Sequence, residues 1–296
     1  MLKQLDSFLE LAKRKSQKTI AVAAAEDAFA LDAIRMIVVQ GLGRAILVGC
    51  REKIVTIAGR LDFDIREVEV IDLPDKTQAC NKAVELVKSG KADILMKGLV
   101  DSPVYLRAIL NKTFGIAESS LVTQMAFIQS PFYRKLFAIT DAGINISPTK
   151  QDKKIMVTQS VDLLHRLDIS NPKVALIAAV EHATPAIQAT IDAAELSEEH
   201  FDNCIVEGPL SVDLAFSHDS CRHKGLDTQV GGDVDLIVLP DVNSANVFYK
   251  TVMQLGSGSS ASVLTGTSAP VVFTSRSDTA TTKYFSIACA IAQCKD

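Results

Sequence analysis

The segment FTSRSDTATTKYF, residues 273–285, carries residue types suited to anion binding and proton transfer. Its apolar start predicts a strand that ends at Ser275, with Arg276, Ser277 and Asp278 in the turn before a helix. An arginine there can bind phosphate with two parallel hydrogen bonds, and the neighbouring hydroxyl and carboxylate can move protons. The alternative role for Asp278 is that of a helix N-cap.

A second strand-to-helix turn, MKGLVDSP at residues 96–103, places Lys97, Gly98, Asp101 and Ser102 after a strand. Free backbone N–H groups and the helix dipole favour an anion at such a position, and the lysine adds a full charge. The alternative is a surface lysine, a turn glycine and a capping residue. Arg107, one helical turn beyond Pro103, belongs either to the same site or to the solvated helix surface.

A third turn, LPDVNSANVFYK at residues 239–250, puts Asn243, Asn246 and Lys250 on one face of a helix. Two amides and an ammonium group can bind a polar ligand that carries phosphates. The alternative is that they cap and solvate the helix.

Several motifs are absent, which removes support for whole reaction classes. The chain has no G-x-x-x-x-G-K-[ST] loop, no G-x-G-x-x-G, no G-x-S-x-G and no H-E-x-x-H. The His and Cys residues of SHDSCRHKG, residues 217–225, have no partner cluster, so we interpret this stretch as a polar surface loop and predict no metal site.

The composition indicates a folded, soluble chain without nucleic-acid partners. A net charge of −4 with 5% aromatic residues does not suit a nucleic-acid surface. The six cysteines lack C-x-x-C spacing, so we predict reduced thiols. The longest uncharged stretch, residues 251–275, is rich in Gly, Ser and Thr and contains Pro270, which argues against a membrane span. We predict a cytoplasmic protein without membrane contact.

Short β-branched runs that alternate with helical patterns predict an α/β fold with mostly parallel sheets. The first runs lie at residues 19–25, 44–50, 66–73 and 92–98, and the later ones at 173–180, 204–208, 234–242 and 271–275. Residues 120–128 and 135–143 are joined by a link too short for a helical crossover, which predicts a hairpin and therefore a mixed sheet.

The order of these elements predicts two α/β domains. One late strand and one helix are too little for a third domain, so the C-terminus is expected to return to the N-terminal domain. We predict a first domain of residues 1–143 plus 265–296 and an inserted domain of residues 144–264. A cleft between the two domains is the expected ligand site.

Five segments together resemble the phosphate acetyl/butyryltransferase family. They are MKGLVDSPVYLRAIL, FAITDAGINISPT, EGPLSVDLAFS, DLIVLPDVNSANVFYK and APVVFTSRSDTATTKYFSIACA. The similarity spans roughly Ala92 to the C-terminus, and the ending SRSDTATTKYFSIA is more similar to the butyryl branch than to the acetyl branch.

The resemblance implies reversible acyl transfer, in which acyl-CoA and inorganic phosphate give acyl phosphate and CoA by direct attack in a ternary complex. It implies an isocitrate dehydrogenase-like fold and a homo-oligomer. Coenzyme A is then a substrate, and no cofactor or metal is expected.

The resemblance also assigns roles to residues. Ser275 and Arg276 match the family's serine–arginine pair, and Arg107 matches a second phosphate-binding arginine. Asn243, Asn246 and Lys250, in the fourth of the five segments, match the helix start on the CoA side. From their own chemistry and position, Lys97 and Ser102 are expected beside the phosphate.

One position departs from the acetyl-type pattern. Acetyl-type relatives have an aspartate seven residues after the serine as the base for the CoA thiol, and here that residue is Thr282. Asp278 is the nearest carboxylate and is the expected substitute.

Three alternatives stay open beside a butyryltransferase. The first is a phosphate acetyltransferase, and the second is a non-catalytic sensor of CoA or acyl phosphate. The third is a metal- and NAD-dependent dehydrogenase of the same fold, for which the sequence offers no convergent set of aspartates.

Overall fold

Helices and strands alternate along the chain in a computed structural model that describes residues 2–66 and 68–294. The strands are β1 (Lys18–Ala23), β2 (Gly43–Gly49), β3 (Glu69–Asp72), β4 (Ile94–Lys97), β5 (Thr123–Gln129), β6 (Phe137–Thr140), β7 (Lys173–Ile177), β8 (Ile205–Leu210), β9 (Leu236–Val238), β10 (Ser259–Thr265) and β11 (Val271–Val272). Glu67, inside the predicted strand 66–73, lies outside the described residues, as do Met1, Lys295 and Asp296.

The helices fill the connections between these strands. They are α1 (Asp6–Ala12), α2 (Ala28–Val39), α3 (Arg51–Arg60), α4 (Lys76–Lys88), α5 (Ser102–Ile109), α6 (Lys150–Arg166), α7 (Gln188–Ser197), α8 (Val212–Phe216), α9 (His218–Lys224), α10 (Val242–Gln254) and α11 (Ala280–Ala292). None of the helices in the described part of the chain is long and apolar enough to cross a membrane.

The chain divides into two compact units. The terminal unit consists of Asp6–Val122 and the chain from Ala261 onward, and the middle unit consists of the first five residues and Thr123–Ser260. These boundaries differ from the predicted ones at 143/144 and 264/265. The hairpin of β5 and β6 belongs to the middle unit because β6 pairs with β9, and the N–H of Ala138 donates to the carbonyl of Asp235 at 2.7 Å.

In the terminal unit the strand order is β3-β2-β1-β4-β11-β10. The first five of these strands are parallel, and β10 is antiparallel to β11. Helix α4 packs against β1 and α5, while α11 packs against α1 and α2. Parallel strands of this kind are buried on both faces, and every residue of β4 is buried. The carboxyl ends of β1, β4 and β11 therefore reach the same edge of the sheet.

In the middle unit the order is β5-β6-β9-β7-β8, with β5 antiparallel to β6 and the other pairs parallel. The predicted hairpin and mixed sheet are confirmed. Helix α6 follows β6 and starts with a reciprocal capping box. Thr149 Oγ1 accepts from the N–H of Asp152 at 3.2 Å, and the Asp152 carboxylate accepts from the N–H of Thr149 at 2.9 Å.

Strand β10 is an element that the sequence did not predict. The segment 255–270 is rich in Gly and Ser, yet Ser260–Thr265 are all buried. Small side chains suit a strand with close neighbours on both faces, and their polar groups are paired. The hydroxyl of Ser260 lies 2.8 Å from the hydroxyl of Tyr249, and the N–H of Ser262 donates to Ser286 Oγ at 2.9 Å.

The first helix, α1, is short. Within the described residues it covers Asp6–Ala12, where Phe8 and Ala12 are buried. Leu2 belongs to the middle unit, where its carbonyl accepts from the N–H of Leu136 at 3.0 Å.

Candidate active site

The candidate site lies where β4 and β11 end in the terminal unit. Val271 pairs with Leu95 and Val272 with Met96, so the residues that follow both strands leave the sheet at one edge. Gly98 makes the close approach of β4 to β1 possible. A Cβ at this position would lie 2.2 Å from the carbonyl oxygen of Ala24, so no larger residue fits without moving the backbone.

The turn after β11 is closed by reciprocal hydrogen bonds. The N–H of Ser275 donates to Asp278 Oδ2 at 2.6 Å, and the N–H of Asp278 donates to the carbonyl of Ser275 at 3.2 Å. The hydroxyls of Ser275 and Ser277 lie 3.0 Å apart. Ser275 and Arg276 are thereby held at the exposed tip of a defined turn.

The start of the last helix decides between the two roles expected for Asp278. The N-cap is Thr279, whose hydroxyl accepts from the N–H of Thr282 at 3.2 Å, and the helix begins at Ala280. Asp278 is therefore not the N-cap, because its carboxylate is used inside the preceding turn. Thr282 is half-buried in the first turn, and its hydroxyl lies 3.3 Å from that of Thr279.

An ion pair joins the two strand-end turns. Arg276 Nη1 lies 2.7 Å from Asp101 Oδ1, and both side chains are 62% exposed. Asp101 stands at the N-cap position of α5 but makes no side-chain capping bond, which leaves its carboxylate available to the arginine. Ion pairs this exposed contribute about 0–1 kcal/mol. An incoming anion can therefore compete with Asp101 for the guanidinium group.

Two buried lysines lie behind this ion pair. Lys97 is 2% exposed, and its side chain hydrogen-bonds to none of the described residues. Burial lowers the pKa of Lys97 to about 8, and the positive charges of Lys283 and Arg276 act in the same direction. The turn after β4 therefore holds an ammonium group with no acceptor of its own.

Lys283 is 1% exposed and fully engaged in local contacts. Its Nζ donates to Thr274 Oγ1 and to the carbonyl of Ser275, each at 3.1 Å. Burial lowers its pKa, while the carboxylates of Asp27 and Asp278 oppose the shift. The sequence analysis did not single out Lys283, although a lysine on the otherwise apolar face of the last helix was the available signal.

Ser102 and Arg107 occupy different parts of α5. Ser102 is the first helical residue and is half-buried, beside the turn that holds Asp101. Arg107 lies five residues later, about 7.5 Å further along the helix axis. Its side chain is exposed and forms no ion pair or hydrogen bond with the described residues. Ser102 thus lies beside the turn that bears Asp101, whereas Arg107 takes no part in the ion pair of Asp101 and Arg276.

The three residues expected on the CoA side share a face of α10 in the middle unit. Asn246 donates from Nδ2 to the carbonyl of Ala142 at 2.9 Å, and Lys250 Nζ lies 6.0 Å from the ring centre of Tyr249. Asn243 is exposed near the helix start, which an Asp241–Ser244 capping box fixes. The helix thus presents two amides and an ammonium group on one side.

The middle unit also contains an open aromatic cavity of about 180 Å³. Its lining consists of Ser130, Phe132, Tyr133, Phe137, Phe216, Phe248 and Val252. Met125 and Phe127, on the neighbouring strand β5, are buried core residues. Phe132 is different, because it is 85% exposed at the cavity.

The His and Cys residues of 217–225 do not form a loop as predicted, because all three of them belong to α9. Gly225 ends this helix in the left-handed conformation, and Cys221 is buried with its thiol donating to the carbonyl of Leu214 at 3.3 Å. Across residues 2–66 and 68–294 no group of three or more His, Cys, Asp or Glu residues is arranged to hold a metal ion.

Comparison with known proteins gives consistent matches. The model of a family described as Phosphate acetyl/butaryl transferase matches residues 76–291. A phosphate butyryltransferase of Clostridium acetobutylicum is 39% identical over 98% of both chains. A phosphate acetyltransferase of Thermotoga maritima is 32% identical over 96% of this chain and 97% of the relative.

A solved structure extends this likeness to the fold. A branched-chain phosphotransacylase of Enterococcus faecalis V583 superposes with a TM-score of 0.85 at 26% identity, covering 94% of this chain and 99% of the other. The large, mostly parallel sheet expected from the sequence is therefore shared with a phosphotransacylase.

Proposed function

We infer that butyryl-CoA is the preferred acyl donor of this enzyme, which belongs to the phosphate acetyl/butyryltransferase family and transfers acyl groups reversibly between coenzyme A and inorganic phosphate. The 39% identity to a phosphate butyryltransferase, against 32% to a phosphate acetyltransferase, supports butyryl over acetyl. Each methylene group in an apolar pocket is worth about 1–3 kcal/mol of discrimination, so the two donors should be clearly separated.

The observation that carries the proposed site is the cationic cluster at the ends of β4 and β11. Arg276, Lys97 and Lys283 stand together, and Lys97 has no acceptor among the described residues. Inorganic phosphate supplies the acceptors that this cluster lacks. The fork of Arg276 can bind two phosphate oxygens, and the start of α5 at Ser102 adds the positive end of a helix dipole.

The neighbouring turn supplies a donor for the acyl group. We assign Ser275 to hydrogen-bond the carbonyl oxygen, on which negative charge develops when phosphate or thiolate attacks. One such donor is typically worth about 3–4 kcal/mol. Asp278 holds the Ser275 N–H and so fixes the hydroxyl in place. Asp278 thus acts in the site as a positioning residue.

The reaction itself then needs little more than orientation. Direct attack of phosphate on the thioester, or of the thiol on the acyl phosphate, needs the two reactants side by side in a ternary complex. Such positioning can supply about 7–11 kcal/mol. Arg107 is assigned to a more distant oxygen of the anionic substrate, and Asn243, Asn246 and Lys250 are assigned to CoA. The enzyme is proposed to work in the cytoplasm as a homo-oligomer, without metal or cofactor.

Release of free thiol tests this function. The purified enzyme should release CoA from butyryl-CoA when phosphate is present, and more slowly from acetyl-CoA; faster turnover of acetyl-CoA would make it an acetyltransferase. Binding of butyryl-CoA without any turnover would instead indicate a sensor.

Arg276→Ala tests the site within the same assay. The variant should raise the KM for phosphate at least tenfold, because the fork is lost. Arg66→Ala is the matched control, since Arg66 pairs with Asp64 at 2.5 Å on the surface of the same unit. An unchanged phosphate KM in Arg276→Ala would remove Arg276 from the site.

A further inference from the structure

We propose that the side-chain amine of Lys97 carries the proton between the CoA thiol and phosphate, in place of the carboxylate that acetyl-type relatives would have at Thr282. The proposal rests on the proposed function. Thr282 offers only a hydroxyl group, so another group must accept the thiol proton. Lys97 lies at the carboxyl end of β4, between β1 and β11, in the centre of the sheet edge that bears Arg276.

The carboxylates around the site are already committed. Asp278 accepts from the N–H of Ser275, and Asp101 pairs with Arg276 in the unliganded protein; when an anion takes the guanidinium group, the carboxylate of Asp101 is 62% exposed and is solvated by water. Asp27 caps α2 by accepting from two backbone N–H groups at 2.9 and 3.1 Å. In the unliganded protein each of these three carboxylates already holds a backbone N–H group or an arginine side chain.

Glu26 is a further buried carboxylate, and its Oε2 has no hydrogen-bond partner among the described residues. Its position excludes it, because this oxygen lies 2.2 Å from where a Cβ on Gly49 would be. Glu26 therefore faces the end of β2, on the far side of β1 from β4.

The two buried lysines differ in their freedom to exchange a proton. The ammonium group of Lys283 donates hydrogen bonds to Thr274 Oγ1 and to the carbonyl of Ser275. Lys97 has no such contact, so its nitrogen lone pair can be exposed by losing one proton without breaking a hydrogen bond. The positive charges of Lys283 and Arg276 favour the neutral amine in the same place.

The pKa of the Lys97 side chain is close to that of the thiol whose proton it would accept. Burial brings the pKa of Lys97 to about 8, close to the value of about 8.5 for an ordinary thiol. Proton transfer is most effective when donor and acceptor are matched and close to the working pH.

The proton balance closes over one turnover. The CoA thiol gives its proton to the neutral amine, and the sulfur forms the C–S bond as the C–O bond between the acyl carbon and phosphate breaks. The leaving phosphate then takes the proton from the ammonium group, so Lys97 ends neutral. In the opposite direction the neutral amine takes the proton of the attacking phosphate as the C–O bond forms and the C–S bond breaks, and the resulting ammonium group protonates the departing thiolate, so Lys97 again ends neutral.

Lys97→Arg separates proton transfer from anion binding. Arginine keeps the charge but does not release its proton in proteins. We expect the phosphate KM to stay within about threefold of the parent enzyme while kcat falls at least 100-fold in both directions, the usual range for a lost acid–base group. Lys88→Arg, an exposed lysine of α4, is the matched control and should leave both constants unchanged.

Rescue and pH dependence supply independent readouts. Lys97→Ala should recover activity with added ethylamine, in proportion to the concentration of its neutral form. In the parent enzyme, kcat/KM for acyl phosphate in the thiol-consuming direction should rise with pH around 8, and this rise should vanish in Lys97→Arg.

Three outcomes would overturn the proposal. They are a Lys97→Arg variant that keeps the parent kcat, a loss confined to the phosphate KM, and a parent kcat/KM for acyl phosphate that is flat between about pH 7 and 9. The last of these decides the question even if the variants do not fold. A parent enzyme inactive on every acyl-CoA would instead refute the proposed function.

Discussion

Lys97→Met should make the protein more stable at pH 7 while it removes activity. Methionine has a similar length and no charge, so it fills the same space without the cost of burying an ammonium group. The pKa of Lys97 is about 8 in the folded chain against an ordinary value of 10.5. At 1.36 kcal/mol per pKa unit, the charged form costs the folded state about 3 kcal/mol.

The pH dependence of this cost has a definite sign. Below pH 8 the lysine is charged in both states, so the folded protein bears the whole cost. Between pH 8 and 10.5 the unfolded chain holds a proton that the folded chain has lost, and stability therefore rises with pH. Above that window the lysine is neutral in both states, and the cost is gone. The advantage of Lys97→Met should fade across the same window.

Urea unfolding at pH 7, 8, 9 and 10 measures the effect. The quantity to follow is the difference in unfolding free energy between Lys97→Met and the parent, corrected by the same difference for Lys88→Met. Other groups that titrate in this range cancel in the subtraction. A variant that is no more stable than the parent at pH 7, or an advantage that stays constant to pH 10, would show that Lys97 is not a buried cation with a lowered pKa.

Two further predictions concern packing and buried charge. Gly98→Ala should lose about 3 kcal/mol of unfolding free energy because its Cβ would meet the backbone of the adjacent strand, whereas Gly59→Ala on α3, with open space around it, should be neutral or mildly stabilising. Asp192→Ala should cost about 3–5 kcal/mol because it leaves Lys153, its partner at 2.7 Å, as an unpaired buried cation. Glu195→Ala, which removes an exposed ion pair between the same two helices, should leave the urea midpoint unchanged.

The fold class followed from the sequence because parallel strands and their helices have local signatures. The run ADILMKG predicted β4 from its own residues, and the short link near Pro131 predicted the hairpin of β5 and β6. Strand β10 had no such signature, since serine-rich segments usually form loops. Its burial depends on distant partners such as Ser286, which no local pattern reveals.

The candidate site, like the fold, was predictable from the sequence only where a local residue pattern defines it. Each strand-end turn was recognisable from its own glycine, hydroxyl and charged residues, and so were Lys97 and Arg276. The pairing of Asp101 with Arg276 joins residues 175 positions apart, and it depends on β11 returning beside β4. The cap at Thr279 was missed because Asp278 has equally good local chemistry and is drawn into the preceding turn instead.

The buried charge of Lys97 makes the folded protein less stable when no ligand is bound. An apolar residue at position 97 would make the folded protein more stable, since the ammonium group of Lys97 is buried, unpaired within the described chain and close to two other cations. An anionic substrate reverses that balance, because it supplies opposite charge only when bound. Phosphate or acyl phosphate should therefore raise the unfolding midpoint of the parent more than that of Lys97→Met. If the ligand stabilised both proteins equally, Lys97 would take no part in ligand binding and could not have the proton-transfer role assigned to it.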